Sequence, residues 1–180
     1  GVWLDPDAGL GLGHRRLAVL ELSPLGAQPM LSACGRYALT FNGEIYNHAE
    51  LRRELASLGH AFRGGSDTEA LLAAVSQWGL ERTCHRLVGM FAFGLWDRRE
   101  RSLSLVRDRL GVKPLYYGRA GDAFVFGSEL KALRAVPGFS PDLDRDALAL
   151  YLRHNSIPAP WTIYRAARKL EPGRILQIAT

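Results

Sequence analysis

The chain has 180 residues, enough for one ordinary domain with a real core. Its 47% apolar and 23% charged content is that of a globular protein. No apolar run approaches the roughly 20 residues of a membrane span, and GVWLDPDAGLGLG has no basic segment leading into an apolar one, so no signal peptide is visible. The net charge of +5 comes from 20 arginines and 3 lysines scattered along the chain. The densest group is the turn-like DRRER at 97–101, so nucleic acid is not an expected partner. Cys34 and Cys84 are the only thiols, too few for a disulfide framework and wrongly spaced for zinc. They read as reduced cysteines of a cytoplasmic protein. The chain also lacks an initiator methionine and reads as a piece of something longer, or as a processed chain.

Taken in chain order, Gly1–Leu4 and Leu10–Leu20 are expected strands around the turn Asp5–Gly9. The loop SPLGAQPM follows, then a strand at Tyr37–Asn42. Asn42-Gly43 carries the signature of a tight hairpin turn, yet only Glu44, Ile45 and Tyr46 remain before helical spacing begins. Asn47 and Glu50 have the spacing of a capping box for a helix over about 47–58, ended by Gly59. Ser66 and Glu69 make a second capping box for a helix running to Trp78. A short helix near 80–87 leads into strands at Met90–Asp97 and Ser102–Arg107. LYYG and AFVFGS form a further hairpin, followed by a short helix at Glu129–Leu133. Asp144 caps a helix to about Arg153, and a last strand lies at Arg174–Ile178. This order is not the regular alternation of a parallel doubly wound sheet, so the expected class is α+β, mixed and layered.

Three groups have chemical potential. Asn42 and Gly43 could turn a side-chain amide and a backbone N–H onto one spot, which is what a developing oxyanion needs, although a plain tight turn also accounts for the dipeptide. Asp67 could hold an ammonium group, or simply complement its helix dipole. Arg16, in GHRRLAVL, could grip a carboxylate with its fork of donors, or stay solvated on a strand. His14 beside it reads as a surface imidazole. A carboxylate receptor, an ammonium receptor and an oxyanion hole together suit an α-amino acid attacked at a side-chain carbonyl. No nucleophile is evident, since neither Cys34 nor Cys84 has an identifiable base.

The segments GHRRLAVLELSPLGAQPM, FNGEIYNHAELRRELASLGHAFRGGSDTEALL, GMFAFGLWDRRERSLSLVRDRLGVKPLYYG and FGSELKAL resemble, in that order, the glutaminase domain of glutamine-hydrolysing asparagine synthetases. That domain is a class II glutamine amidotransferase with the N-terminal-nucleophile (Ntn) hydrolase fold, a four-layer α–β–β–α sandwich. The resemblance spans 1–180 and implies a role for particular residues. Arg16 would hold the glutamine α-carboxylate, with the backbone of Leu17, Val19 and Leu20 lining the same pocket. Asn42 and Gly43 would form the oxyanion hole, Glu44 would contact the substrate, and Asp67 would bind the α-amino group. The implied partners are L-glutamine, the synthetase domain of the same polypeptide and a second copy in a homodimer. No membrane contact, no metal and no cofactor are expected in this domain. ATP and Mg would belong to the synthetase domain.

The sequence departs from the family in lacking the N-terminal cysteine nucleophile, the helix after it and an HRGPD-like segment. It therefore reads as a glutaminase domain without its N-terminal strand and helix, inactive as it stands, with the ATP-pyrophosphatase domain also absent. Glu21 stands where the family commonly has Asp, and Cys34 at a usually polar position. The parent would release ammonia from glutamine for ATP-dependent amidation of aspartate. The alternatives are another acceptor in a polysaccharide or secondary-metabolite pathway, or a catalytically silent scaffold.

Overall fold

The structure, a computed structural model, describes residues 1–17 and 21–179. It divides into two units, Gly1–Leu105 with Gln177–Thr180, and Val106–Leu176. The first opens with the hairpin β1 (Val2–Asp5) and β2 (Leu10–Gly13), antiparallel with Val2 opposite Gly13. The strand expected over Leu10–Leu20 is observed over Leu10–Gly13; 18–20 lie outside the described residues. A two-residue strand, β3 (Met30–Leu31), then pairs antiparallel with β4 (Tyr37–Ile45).

Strand β4 corrects the turn expected at Asn42-Gly43. It runs unbroken through both residues, and β5 (Gly89–Asp97) pairs with its whole length, Asn42 opposite Ala92 and Gly43 opposite Phe91. The return strand missing from the local sequence is supplied from nearly fifty residues downstream. Gly43 is required by close approach rather than by a turn: a Cβ there would lie 2.3 Å from the Met90 carbonyl oxygen. β6 (Ser102–Arg107) and β10 (Ile175–Ala179) complete a sheet of order β10-β6-β5-β4-β3.

Helices α1 (His48–Ser57), α2 (Asp67–Trp78) and α3 (Leu80–Arg86) connect β4 to β5, and α2 packs on β3, β4 and α1. The capping box expected at Asn47 does not form. Its side chain instead bridges the turn before β5, donating to the Arg86 carbonyl (3.0 Å) and accepting from the Val88 N–H (3.0 Å). At α2 the cap is as expected, with Ser66 Oγ accepting from Glu69 N–H at 3.2 Å. Glu69 itself reaches the N–H groups of Arg63 and Gly64. Burial of Leu39, Phe41, Ile45, Leu51, Leu55, Leu71, Val75, Phe93 and Leu105 forms the core of this unit. Each such side chain contributes about 1.5–3 kcal/mol relative to exposure.

The second unit contains the sheet β8-β7-β9, made of β7 (Tyr116–Ala120), β8 (Ala123–Gly127) and β9 (Ala167–Lys169), both pairings antiparallel. Helices α4 (Leu130–Arg134) and α5 (Arg145–His154) belong to it, the latter capped by Asp144 as expected. β3 and β9 were not legible, being two and three residues long.

The β5–β6 turn is held by one carboxylate. Asp97 accepts from Arg36 Nε and Nη2 and from the N–H groups of Arg99 and Glu100. Burial pushes its carboxyl up, but Arg36 and these N–H donors outweigh burial and leave it below its ordinary value. A depressed carboxyl stabilises the fold at pH values above its unfolded pKa, and that contribution is lost as pH falls through the lower folded value. Asp97→Asn should therefore lower stability by about 1–3 kcal/mol at neutral pH. In paired denaturant titrations the gap from wild type should narrow below about pH 4. A gap of constant size down to acid unfolding would show that the Asp97 charge is not the stabilising feature.

Candidate functional site

Successive side chains of a strand alternate between faces, and directly paired residues of neighbouring strands share one. Ala38, Thr40, Asn42 and Glu44 of β4 therefore share a face with Trp96, Gly94, Ala92 and Met90 of β5. The β1–β2 hairpin covers one end of that face: Trp96 Nε1 donates to Asp5 at 3.0 Å, and His14 Nδ1 meets Thr40 Oγ1 at 3.2 Å. Burial, foremost, holds the His14 imidazole below its ordinary pKa. Asn42 and Glu44 continue the face beyond the hairpin, both half-buried, Asn42 opposite Ala92 and Glu44 opposite Met90.

Asp67 stands at the edge of the same strand. It is 6% exposed, and its Oδ2 accepts from the Ile45 N–H at 3.0 Å, one residue past Glu44. Oδ1 accepts from the Thr68 N–H at 2.8 Å and meets Thr68 Oγ1 at 3.4 Å. An ionised carboxylate has about four lone-pair directions, so these bonds leave acceptor capacity for an ammonium group. Asn42, Gly43, Glu44 and Asp67 thus come together at one end of β4, although twenty-two positions separate Ile45 from Asp67.

Arg16 follows His14 by two residues and lies against the loop over 21–28. Its Nη1 donates to the Ser23 carbonyl at 3.3 Å. Gly26 is buried beneath the guanidinium, where a Cβ would come 2.3 Å from Nη2. Leu17 is 87% exposed, while Val19 and Leu20 lie outside the described residues. Arg16 is linked to the β4 edge by that loop rather than by a direct bond to Asn42 or Asp67 among the described residues.

Two residues that hold the loop were missed as site residues. Glu21 accepts from the Ser23 N–H at 3.0 Å and, with its other oxygen, from the Gly65 N–H at 2.7 Å, so it ties the loop to the segment just before α2. The Ser23 side chain and these two N–H donors bring its carboxyl down to about 2, so the tie stays ionised over the whole neutral range. Gln28, 8% exposed, accepts from the Phe41 N–H at 2.7 Å and donates to Thr68 Oγ1 at 3.4 Å. In the sequence Gln28 is one polar residue of the loop SPLGAQPM, and nothing local marks it.

Cys34 is exposed and its Sγ lies 3.3 Å from Ser32 Oγ, a hydrogen bond that pulls the thiol below its ordinary value. Cys84 lies in α3. Among the described residues no His, Cys, Asp and Glu group is arranged to hold a metal, and no helix is long and apolar enough to cross a membrane. Two cavities lie in the second unit, about 400 Å³ beside Ala147, Leu150 and Trp161 and about 340 Å³ beside Tyr116 and Lys169. Neither is lined by Arg16, Asn42, Gly43, Glu44 or Asp67.

A family model described as a glutamine amidotransferase domain matches residues 1–180. Similar curated proteins include two from Bacillus subtilis (strain 168). Asparagine synthetase [glutamine-hydrolyzing] 3 is 40% identical over 169 residues, covering 91% of this chain and 27% of that protein. Asparagine synthetase [glutamine-hydrolyzing] 1 is 39% identical over 167 residues, covering 93% and 26%. A Gibberella zeae protein named Amidase chry2 is 37% identical over 142 residues, covering 79% and 21%. The chain thus spans about a quarter of the length of the curated relatives it matches. Among solved structures, a glutamine phosphoribosylpyrophosphate (PRPP) amidotransferase from B. subtilis, complexed with ADP and GMP, superposes with a TM-score of 0.65 at 26% identity, covering 92% of this chain and 32% of that one.

Proposed function

We propose that this chain, which belongs to the glutamine amidotransferase domain family, is the glutaminase part of a longer glutamine-hydrolysing asparagine synthetase. Its fold is the α+β Ntn-hydrolase fold of the amidotransferases it resembles. The observation that supports the reading is the bond from the Ile45 N–H to Asp67, which sets a carboxylate at the end of β4 that carries Asn42, Gly43 and Glu44. In this reading Asp67 binds the α-ammonium of L-glutamine, and Arg16 binds its α-carboxylate with the backbone of Leu17, Val19 and Leu20. Glu44 contacts the substrate, and the side-chain amide lies over Asn42.

A thiolate attacks the amide carbon, and negative charge gathers on the carbonyl oxygen. The Asn42 amide N–H and the Gly43 backbone N–H stabilise it, being fixed before the reaction. The carbon–nitrogen bond breaks as the nitrogen takes a proton and leaves as ammonia; water then cleaves the thioester to glutamate and the free thiol. The resemblance assigns the thiolate to an N-terminal cysteine outside residues 1–180, with its α-amino group as base, and gives neither Cys34 nor Cys84 that part. Residues 1–180 alone are then a receptor without a nucleophile, and inactive.

Ammonia would pass to the synthetase part, where ATP and Mg serve the amidation of aspartate. That part is the chain's partner in the same cytoplasmic polypeptide, in an enzyme that can form a homodimer. The likeness to Amidase chry2 favours a second reading in which the glutamine half is the same and the acceptor is another carboxylate.

The test is Asp67→Asn in the full-length protein. Glutamine KM should rise by at least about tenfold, because an acceptor for a desolvated ammonium is neutralised. Synthesis driven by ammonium chloride should stay within about twofold of wild type, since ammonia bypasses this pocket. Equal losses with both nitrogen sources would mean that Asp67 only supports the fold.

A further inference from the structure

N–H groups two residues apart on a strand point to the same side. On β4 the odd-numbered N–H groups face β3. The Tyr37 N–H donates to Ser32 Oγ at 3.0 Å, and Leu39 sits opposite Met30 in the ladder. Beyond Met30 the paired strand ends, and three more N–H groups would face an open edge. The Phe41 N–H is taken by Gln28 Oε1 at 2.7 Å and the Ile45 N–H by Asp67 Oδ2 at 3.0 Å. Between them stands Gly43, whose N–H makes no hydrogen bond among the described residues.

The two side chains that flank Gly43 are themselves joined. Gln28 Nε2 donates to Thr68 Oγ1 at 3.4 Å, and Thr68 meets Asp67 Oδ1 through both its N–H and its hydroxyl. The connections close a ring: Phe41 N–H, Gln28 amide, Thr68 hydroxyl, Asp67 carboxylate, Ile45 N–H, and back along β4 through Gly43. Because the Gln28 N–H donates to the Thr68 oxygen, the Thr68 proton is free to point at Asp67. Gln28, Thr68 and Asp67 are all buried, so solvent does not replace these bonds readily.

We propose that Gln28 is a positioning residue for glutamine hydrolysis: through the Phe41 N–H and Thr68 it holds the oxyanion-donor segment at Asn42-Gly43 and the ammonium receptor Asp67 at a fixed separation. The proposal rests on the functional reading above. Gln28 touches no substrate. It acts by replacing the missing strand next to β4 with one side-chain amide, while the N–H it leaves uncovered is the one assigned to the oxyanion.

The experiment measures glutamate release from L-glutamine by the full-length protein, for wild type, Gln28→Met, Gln28→Glu, Asn42→Ala and the double variant Gln28→Met/Asn42→Ala. Methionine keeps the volume and removes both hydrogen bonds, so kcat should fall at least about tenfold, as expected when reacting groups are misplaced by a fraction of an ångström. In the Asn42→Ala background the same change should cost less than about threefold, because residues acting through one another are not additive. Gln28→Glu keeps an oxygen for the Phe41 N–H but has no donor for Thr68 Oγ1, so it too should lower kcat, by at least about threefold. If Gln28→Met does not fold, Gln28→Glu decides: a loss of at least about threefold in kcat supports the proposal and a smaller one overturns it. A Gln28→Met penalty equal in both backgrounds, or a kcat within about twofold of wild type, also overturns it and leaves the functional reading standing. Wild type without glutamate release overturns both.

Discussion

Replacing Asn42 by alanine should lower glutaminase kcat by about 10²–10³, with glutamine KM changed by less than about threefold. The effect is large because the Asn42 amide is already fixed when charge arrives. It stands inside a nine-residue strand that is paired along its whole length, opposite Ala92. A preorganised donor costs no reorganisation in the transition state, and its loss is felt mainly there. Glutamine should still bind, since Arg16 and Asp67 hold the other end of the molecule. Steady-state kinetics of the full-length protein on L-glutamine separate the cases. A steep rise in KM at constant kcat would make Asn42 a ground-state contact. Ammonium-driven synthesis should be unaffected, which also checks that the variant folds.

Most elements of the fold were legible because they carry local signals. Ser66 and Asp144 each cap a helix with a side-chain oxygen, as their positions before apolar periodic stretches indicated. The turn at 98–101 follows from a polar run between two apolar strands, and Arg101 adopts a left-handed conformation there, φ 48°. The element read wrongly was the one that matters most. Asn-Gly is a strong turn signal when its partner strand is the next segment, but β4 finds its partner at β5, beyond three helices. Gly43 is glycine because Met90 and Phe91 approach its backbone, a constraint that exists only once the chain has folded. Asn47 failed as a cap for a related reason: its amide is used by the Arg86 carbonyl and the Val88 N–H, which sequence places far away.

The candidate site was legible as residue types and not as an arrangement. Arg16, Asn42, Glu44 and Asp67 could be named from their chemistry and their resemblance, but nothing local joins Asp67 to Ile45 or Gln28 to Phe41. Glu21 shows the same limit. As a sequence feature it is one carboxylate on an apolar stretch; in the fold it spans forty-four positions to the Gly65 N–H and holds the loop on which Arg16 lies. Such ties are long-range hydrogen bonds between a loop and a strand edge, and sequence periodicity does not encode them.

The same long-range contact makes Gly43→Ala the most damaging single methyl that can be added to this site. A Cβ at Gly43 would stand 2.3 Å from the Met90 carbonyl oxygen, 2.6 Å from Phe91 Cα and 2.8 Å from Phe91 Cβ. Two of these are backbone atoms of a strand paired along its whole length, so no flexible side chain can yield. Either β4 and β5 separate locally or β4 bows away, and overpacking of this kind costs about 3 kcal/mol. The bow falls on the residue whose N–H is assigned to the oxyanion, and a displacement of about 1 Å there should cost a further 10²-fold in glutaminase kcat. Gly118→Ala provides the comparison, since its Cβ would meet the Ala166 carbonyl oxygen at 2.1 Å in the sheet of the other unit. Both variants should melt several degrees below wild type. At a temperature where each is folded, only Gly43→Ala should lose glutamine hydrolysis. If Gly43→Ala melts early but turns over glutamine normally, the Gly43 N–H takes no part in the reaction and the glycine serves the sheet alone.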